Sequence, residues 1–233
     1  AIHTARQFMR RSLAHALKAE LIAVYQSQLS RKKYRPDAQS AGQRALKNMC
    51  LNYLLEWQDD STAQLALAQE KSADNMTDRL AALLALLQHD AATPALQRFY
   101  DEFSDEALVI DKWFAMQASA RSCTVSAARK LMQHPAFTLN NPNRARSLIF
   151  SFCNANPAQF HATDGSGYAF WAEQVIALNA LNPQIAARLA RSLDHWQKYQ
   201  PALREQMQTA LQRVAKEKSL SKDVRELVGK ALG

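Results

Sequence analysis

The sequence predicts an all-α protein, and three features of its composition point to that class. The 233 residues include only 5 Gly and 7 Pro, so the tight turns that β-sheet proteins need must be scarce. Ala and Leu together supply about 30% of the chain and favour helix, whereas β-branched residues are sparse. Hydrophobic residues make up 48%, enough for a substantial core. These features argue against β-sandwiches, β-barrels and nucleotide-binding α/β folds.

Proline placement marks the predicted helix starts, because Asn caps a helix well and Pro is tolerated in its first turn. Asn141-Pro142, Asn156-Pro157 and Asn182-Pro183 follow this pattern, as do Thr93-Pro94 and Gln200-Pro201. Apolar residues then recur at spacings of three and four, which is typical of an amphipathic helix. The predicted helices span residues 4–30, 37–57, 61–72, 76–89, 94–103, 105–119, 124–133, 142–155, 157–161, 167–181, 183–198, 201–218 and 221–231.

The predicted connections are only a few residues long, so neighbouring helices should form antiparallel hairpins. Consecutive hairpins without a four-helix heptad pattern favour an irregular α-solenoid, a superhelical stack of antiparallel helix pairs. We expect residues 1–233 to form a single helical domain.

The net charge of +8 raises nucleic-acid binding as one possible function. The one dense basic cluster, residues 31–35, precedes Pro36 and is interpreted as the end of a helix and a solvated loop. No apolar run approaches the ~18 residues of a membrane span. Three widely spaced cysteines imply no disulfide framework, and with no signal peptide in view they indicate a reducing, cytoplasmic location.

The sequence lacks a recognisable catalytic constellation. Its six His form no pair at metal-ligand spacing, so we predict no metal site and no cofactor in this chain. Cys153 could approach His161, but a buried inert thiol is the favoured interpretation. Ser166 lies between two glycines, yet a hydrolase elbow requires a preceding strand, so a turn with a helix cap is expected there.

One polar stripe stands out on the predicted helix 183–198. At 100° per residue one face of that helix is apolar, and a flanking stripe is polar with few acidic neighbours. The stripe comprises Gln184, Arg188, Arg191 and His195. On the helix capped by Asn141, the core face leaves Arg144 and Arg146 on opposite flanks, so at most one of them can serve a given groove.

These same segments resemble the carboxy-terminal helical domain of bacterial aminopeptidase N. The resemblance covers most of the chain in the family's order. It is carried by Asn141-Pro142-Asn143-Arg144-Ala145-Arg146-Ser147-Leu148, Phe160-His161-Ala162-Thr163-Asp164-Gly165-Ser166-Gly167-Tyr168, Asn182-Pro183-Gln184 with Arg188, Asn75-Met76-Thr77-Asp78 with Leu80-Ala81-Ala82-Leu83, and Val109-Ile110-Asp111-Lys112-Trp113-Phe114 with Gln117.

The resemblance implies a fragment of a much longer zinc metallo-aminopeptidase of the thermolysin-like clan. It implies a non-catalytic, bowl-shaped lid that closes over the active-site chamber, with zinc held only in the parent's catalytic domain. It also implies that Arg146, Gln184 and Arg188 line the substrate channel, although the residues alone do not decide between Arg144 and Arg146. The implied partners are the catalytic and N-terminal domains of the same chain and short peptide substrates, with no membrane or nucleic acid.

Two other functions stay open at the level of sequence. An independent α-solenoid scaffold could bind a protein or peptide on its concave face. A basic helical module could bind nucleic acid. Self-association of the isolated chain is also expected if it has lost an interface with its parent.

Overall fold

The computed structural model describes residues 2–30, 33–87 and 92–233, and every regular element in those ranges is helical. The α-helices are α1 (Ile2–Ala16), α2 (Lys18–Ser27), α3 (Ala38–Leu54), α4 (Asp60–Ser72), α5 (Met76–Leu86), α6 (Ala92–Phe103), α7 (Ala107–Ser119), α8 (Val125–Met132), α9 (Pro142–Ala145), α10 (Ser151–Ala155), α11 (Pro157–Phe160), α12 (Ser166–Leu181), α13 (Pro183–Ala190), α14 (Pro201–Ala215) and α15 (Lys222–Leu232). Short 3-10 turns occupy Leu55–Trp57, Arg191–Leu193 and Trp196–Lys198, and a π-helical turn occupies Arg146–Phe150. The predicted all-α class is confirmed.

The asparagine caps form as predicted. Asn141, Asn156 and Asn182 each accept a backbone N–H from the first turn of the following helix, and a proline occupies the first helical position after each. These caps satisfy N–H groups that no helix can pair internally, so they fix where the chain turns.

The predicted helices 4–30 and 183–198 are each divided in the structure. The helix predicted for 4–30 is two helices, because Leu17 leaves helical geometry at φ −115° and ψ 22°. The helix predicted for 183–198 ends at Ala190 and continues only as 3-10 turns. The helix predicted for 76–89 is observed to Leu86; residues 88 and 89 lie outside the described residues, as do 31 and 32 of the basic cluster.

The chain divides into two compact units, Ala1–Ser104 and Asp105–Gly233. In the first unit α3 packs against α2 and α5, and α5 packs against α4. Leucine and aromatic side chains fill its core, and the fully buried ones include Leu51, Leu54, Leu55, Leu83, Leu86 and Phe99.

A buried polar network crosses the core of the first unit. Asp78 pairs with the Lys47 ammonium at 2.7 Å and accepts from Asn48 at 2.8 Å. Gln69 donates to the Asp78 carbonyl and accepts from the Tyr25 hydroxyl at 3.2 Å. Burial, with a contribution from the Asp78 charge, raises the pKa of Tyr25 to about 12. Each buried group has a partner, so the network connects helices α2, α3, α4 and α5 and fixes their relative positions.

In the second unit α12 is the central helix. It packs against α13 and α14, and α15 packs against both of those helices. The π-helical turn and α10 pack against α7. Aromatic side chains dominate the fully buried set, which includes Phe114, Phe152, Phe160, Tyr168, Phe170 and Trp171.

The glycine-containing loop that begins α12 is a turn, as predicted, but Gly165 occupies the N-cap position and no side-chain cap forms. Gly165 has φ +71°, a backbone conformation that favours glycine, and Asp164 Oδ1 accepts from both the backbone N–H and the hydroxyl of Ser166. At Gly167 a Cβ atom would lie 2.2 Å from the Phe160 carbonyl oxygen. Only glycine therefore lets α12 approach the backbone of α11 this closely.

Candidate functional site

The helix that carries Arg144 and Arg146 begins at a well-defined cap. Asn141 Oδ1 accepts from the backbone N–H groups of Asn143 and Arg144, and Pro142 occupies the first helical position. The helix then widens into the π-helical turn that starts at Arg146, and π turns inside α-helices occur frequently at functional sites. The cap fixes the direction in which both arginines leave the backbone.

Arg144 is a structural residue. Its guanidinium lies in the core, where Nε donates to Asp111 at 2.7 Å and Nη1 donates to the Ala136 carbonyl at 2.6 Å. The same group lies 5.1 Å from the ring centre of Phe114. Because its donors are used inside the second unit, Arg144 is not available to a ligand.

Arg146 lies on the other flank and is only half-buried. Nη1 donates to Asn143 Oδ1 at 3.1 Å, which is its one hydrogen bond within the described residues. Nε is buried without a partner among those residues. Nη2 also has no hydrogen bond there, but it is accessible to solvent. Of these two arginines, only Arg146 keeps N–H donors unused within the described residues, and its place in a substrate channel stays a prediction.

Helix α13 presents Gln184 and Arg188 one turn apart on an exposed face. Neither side chain has a hydrogen-bond or ion-pair partner within the described ranges. The opposite face is buried as predicted, at Ile185 and Leu189.

The predicted stripe does not continue past α13. Arg191 lies in a 3-10 turn and pairs with Asp194 at 3.0 Å, and His195 follows that turn. Steps of 100° per residue do not apply to 3-10 geometry, so the four stripe residues do not share one regular helical face. The structure brings Gln184 and Arg188 together, and no hydrogen bond joins either of them to Arg146 in the described part of the chain.

A cluster around His161 was not found by sequence reasoning. Its Nδ1 lies 2.9 Å from the Tyr168 hydroxyl and its Nε2 lies 3.4 Å from the Tyr199 hydroxyl. Burial lowers the pKa of His161 and raises the pKa of Tyr168. Tyr199 is 38 residues from His161, so no local spacing signals the contact.

Cys153 is buried, and burial strongly raises the pKa of its thiol. Cys153 is thus buried as predicted, and a thiol that resists ionisation is a poor nucleophile, in agreement with the interpretation of an inert thiol. Cys50 and Cys123 are also buried free thiols.

Residues 2–30, 33–87 and 92–233 show neither a metal-binding cluster nor a membrane-spanning helix. Those residues contain no group of three or more His, Cys, Asp and Glu side chains placed to hold a metal ion. None of their helices is long and apolar enough to cross a membrane.

Comparison with known proteins places this geometry in context. A family model described as "Domain of unknown function (DUF3458_C) ARM repeats" matches residues 1–233. Aminopeptidase N of Escherichia coli (strain K12) is 39% identical over 235 residues, and aminopeptidase N of Caulobacter vibrioides is 36% identical over 236 residues. Each alignment covers 100% of this chain but 27% of the relative, so the chain spans about a quarter of those proteins.

A solved structure gives the same result. Legionella pneumophila aminopeptidase A, determined in complex with aspartic acid, matches 99% of this chain and 28% of its own at a TM-score of 0.88 and 30% identity. The resemblance to aminopeptidase N seen in the sequence is confirmed, and the ARM-repeat description agrees with the predicted α-solenoid class.

Proposed function

Because this chain belongs to the DUF3458_C family of ARM-repeat domains, we propose that it is the C-terminal helical part of a zinc aminopeptidase that releases N-terminal amino acids from short peptides. The observation that carries the proposal is the alignment of the entire chain with the C-terminal helical part of aminopeptidase N relatives. The partners that follow are the preceding domains of the same longer chain and its peptide substrates.

In this proposal, the rest of the longer protein cleaves the peptide bond. A catalytic zinc ion polarises a scissile carbonyl and activates water, and it needs a cluster of His and carboxylate ligands. The described residues offer no such cluster and do not fit the ion, so zinc would be held elsewhere in the longer protein. This chain then acts as a lid that encloses the chamber and contacts the peptide.

We assign the peptide contacts to Arg146, Gln184 and Arg188. Gln184 and Arg188 are exposed and unpartnered within the described residues, and Arg146 keeps unused N–H donors. Guanidinium and amide groups donate well to peptide carbonyls and to a C-terminal carboxylate. Unlike Arg144 and Arg191, these three side chains have no carboxylate partner within the described residues.

The cytoplasm is the proposed location. Support comes from the three buried free thiols, because a reducing compartment keeps cysteines unpaired.

Separate expression of this chain and of the remainder of the longer protein tests the proposed role. We expect the purified chain to be inactive toward an alanyl amide and to carry no stoichiometric zinc. We expect addition of the chain to the remainder to restore or increase its peptidase activity. Hydrolysis by the chain alone, with one zinc ion per molecule, would overturn the proposal.

A further inference from the structure

The contact between Asn143 and Arg146 differs from the contacts of the four arginines in the second unit that pair with carboxylates. Arg129, Arg144, Arg191 and Arg213 each contact the carboxylate of an acidic residue. Arg146 instead donates to the side-chain amide oxygen of Asn143 at 3.1 Å. An amide fixes the direction of a guanidinium without neutralising its charge, whereas a carboxylate does both.

The remaining atoms of Arg146 are constrained as well. Nε is buried and has no hydrogen-bond partner among the described residues, so this part of the side chain packs against the protein. Nη1 is fixed by Asn143, and the guanidinium is planar, so these two restraints set the orientation of the whole group. Nη2 has no hydrogen bond within the described residues and is not buried. It is therefore accessible to a ligand.

The backbone supports the same arrangement. Asn141 Oδ1 accepts a hydrogen bond from the N–H of Asn143. Asn143 precedes Arg146 by three residues, and Arg146 is the first residue of the π-helical turn. Asn143 is exposed and on the helix surface, so removing its side chain leaves the core intact.

We propose that Asn143 is a positioning residue that orients the Arg146 guanidinium toward a peptide while leaving its positive charge uncompensated. The proposal rests on the proposed function, because it assumes that Arg146 binds substrate. Arg146 touches the peptide, and Asn143 acts only through Arg146.

The test is a double-mutant cycle in the longer protein, with KM and kcat measured for an alanyl tripeptide. Arg146→Ala is expected to raise KM, and Asn143→Ala to raise it by about three- to tenfold with kcat unchanged. In the Arg146→Ala background, Asn143→Ala should have no further effect on KM. Asn143→Asp should raise KM at least as much as Asn143→Ala, because a carboxylate would neutralise the guanidinium.

Asn154→Ala is the matched control. Asn154 is an exposed asparagine on the same helical segment, and its amide donates to the Phe150 carbonyl at 3.0 Å. The KM of the Asn154→Ala variant should equal that of the unmodified protein.

The outcomes separate the two claims. If Arg146→Ala raises KM but Asn143→Ala and Asn143→Asp do not, the positioning role is overturned and the proposed function stands. If Arg146→Ala leaves KM unchanged, the assigned role of Arg146 falls and the positioning role falls with it. If Asn143→Ala raises KM equally with and without Arg146, Asn143 acts independently and the inference is wrong.

Discussion

Arg144 Nε lies 2.7 Å from Asp111 Oδ1, and this buried contact separates the two neighbouring arginines into different roles. The side chains of Arg144 and Asp111 are 8% and 15% exposed, so the pair is largely removed from water. Arg146, two residues later, has no carboxylate partner in the described part of the chain. Stability should depend on the first arginine and peptide binding on the second.

Replacing Arg144 should strongly destabilise the second unit. Arg144→Ala leaves Asp111 buried without its partner, which typically costs about 3–5 kcal/mol of unfolding free energy. The measurement is urea unfolding followed by tryptophan fluorescence. Arg146→Ala is the control, with an expected loss below about 1 kcal/mol because its guanidinium pairs with no buried charge. Equal losses of unfolding free energy in the two variants would contradict the structural role of Arg144.

Gly167 should tolerate no side chain. The Cβ of Gly167→Ala would meet the Phe160 carbonyl oxygen at 2.2 Å, and backbone cannot move aside cheaply. We expect a loss of about 1–3 kcal/mol or more in unfolding free energy. Gly229→Ala is matched, because Gly229 is helical, in the same unit and has no atom within 4 Å of the added Cβ. That control should gain about 0.5–1 kcal/mol, and a loss at both sites would refute the close-approach explanation.

Tyr25 should make the first unit sensitive to alkaline pH. Its pKa is about 12 in the folded protein against the ordinary tyrosine value of 10.0, so the folded state retains the proton more strongly. This contribution to stability is complete below the unfolded pKa and is lost as the pH rises through the folded pKa. Between the two values the unfolding free energy should fall by about 1.4 kcal/mol per pH unit from this group.

Urea unfolding between the two pKa values, compared with Tyr25→Phe, isolates the tyrosine. The variant has no phenol to titrate at position 25, so its stability should decline less steeply with pH. Identical slopes would show that Tyr25 ionises normally in the folded protein.

Local signals in the sequence predicted most helix boundaries because the caps are local. The Asn-Pro pairs fixed the starts of α9, α11 and α13 through contacts within three residues. The break at Leu17 was missed because apolar spacing continues across it, and no Gly or Pro marks it. Two of the apolar residues at this spacing, Leu13 and Leu17, are exposed at 45% and 43%.

The candidate site was predictable only in part, for a related reason. Helical spacing correctly placed Gln184 and Arg188 on one face, because both lie within a regular helix. It could not separate Arg144 from Arg146, because the deciding partner, Asp111, is 33 residues away. The contact between Asn143 and Arg146 spans only three residues. Amide side chains accept hydrogen bonds in many local geometries, so no distinct sequence pattern predicts this contact.

The most direct test of peptide binding by α13 is the KM of the longer protein for an alanyl tripeptide after Arg188→Ala. Arg188 is an exposed, unpartnered cation in the described structure, whereas the nearby Arg191 is paired with Asp194 and supplies the control Arg191→Ala. We expect Arg188→Ala to raise KM about tenfold with kcat changed less than about twofold, and Arg191→Ala to leave KM unchanged. An unchanged KM in Arg188→Ala would contradict the claim that this chain contacts the peptide through α13.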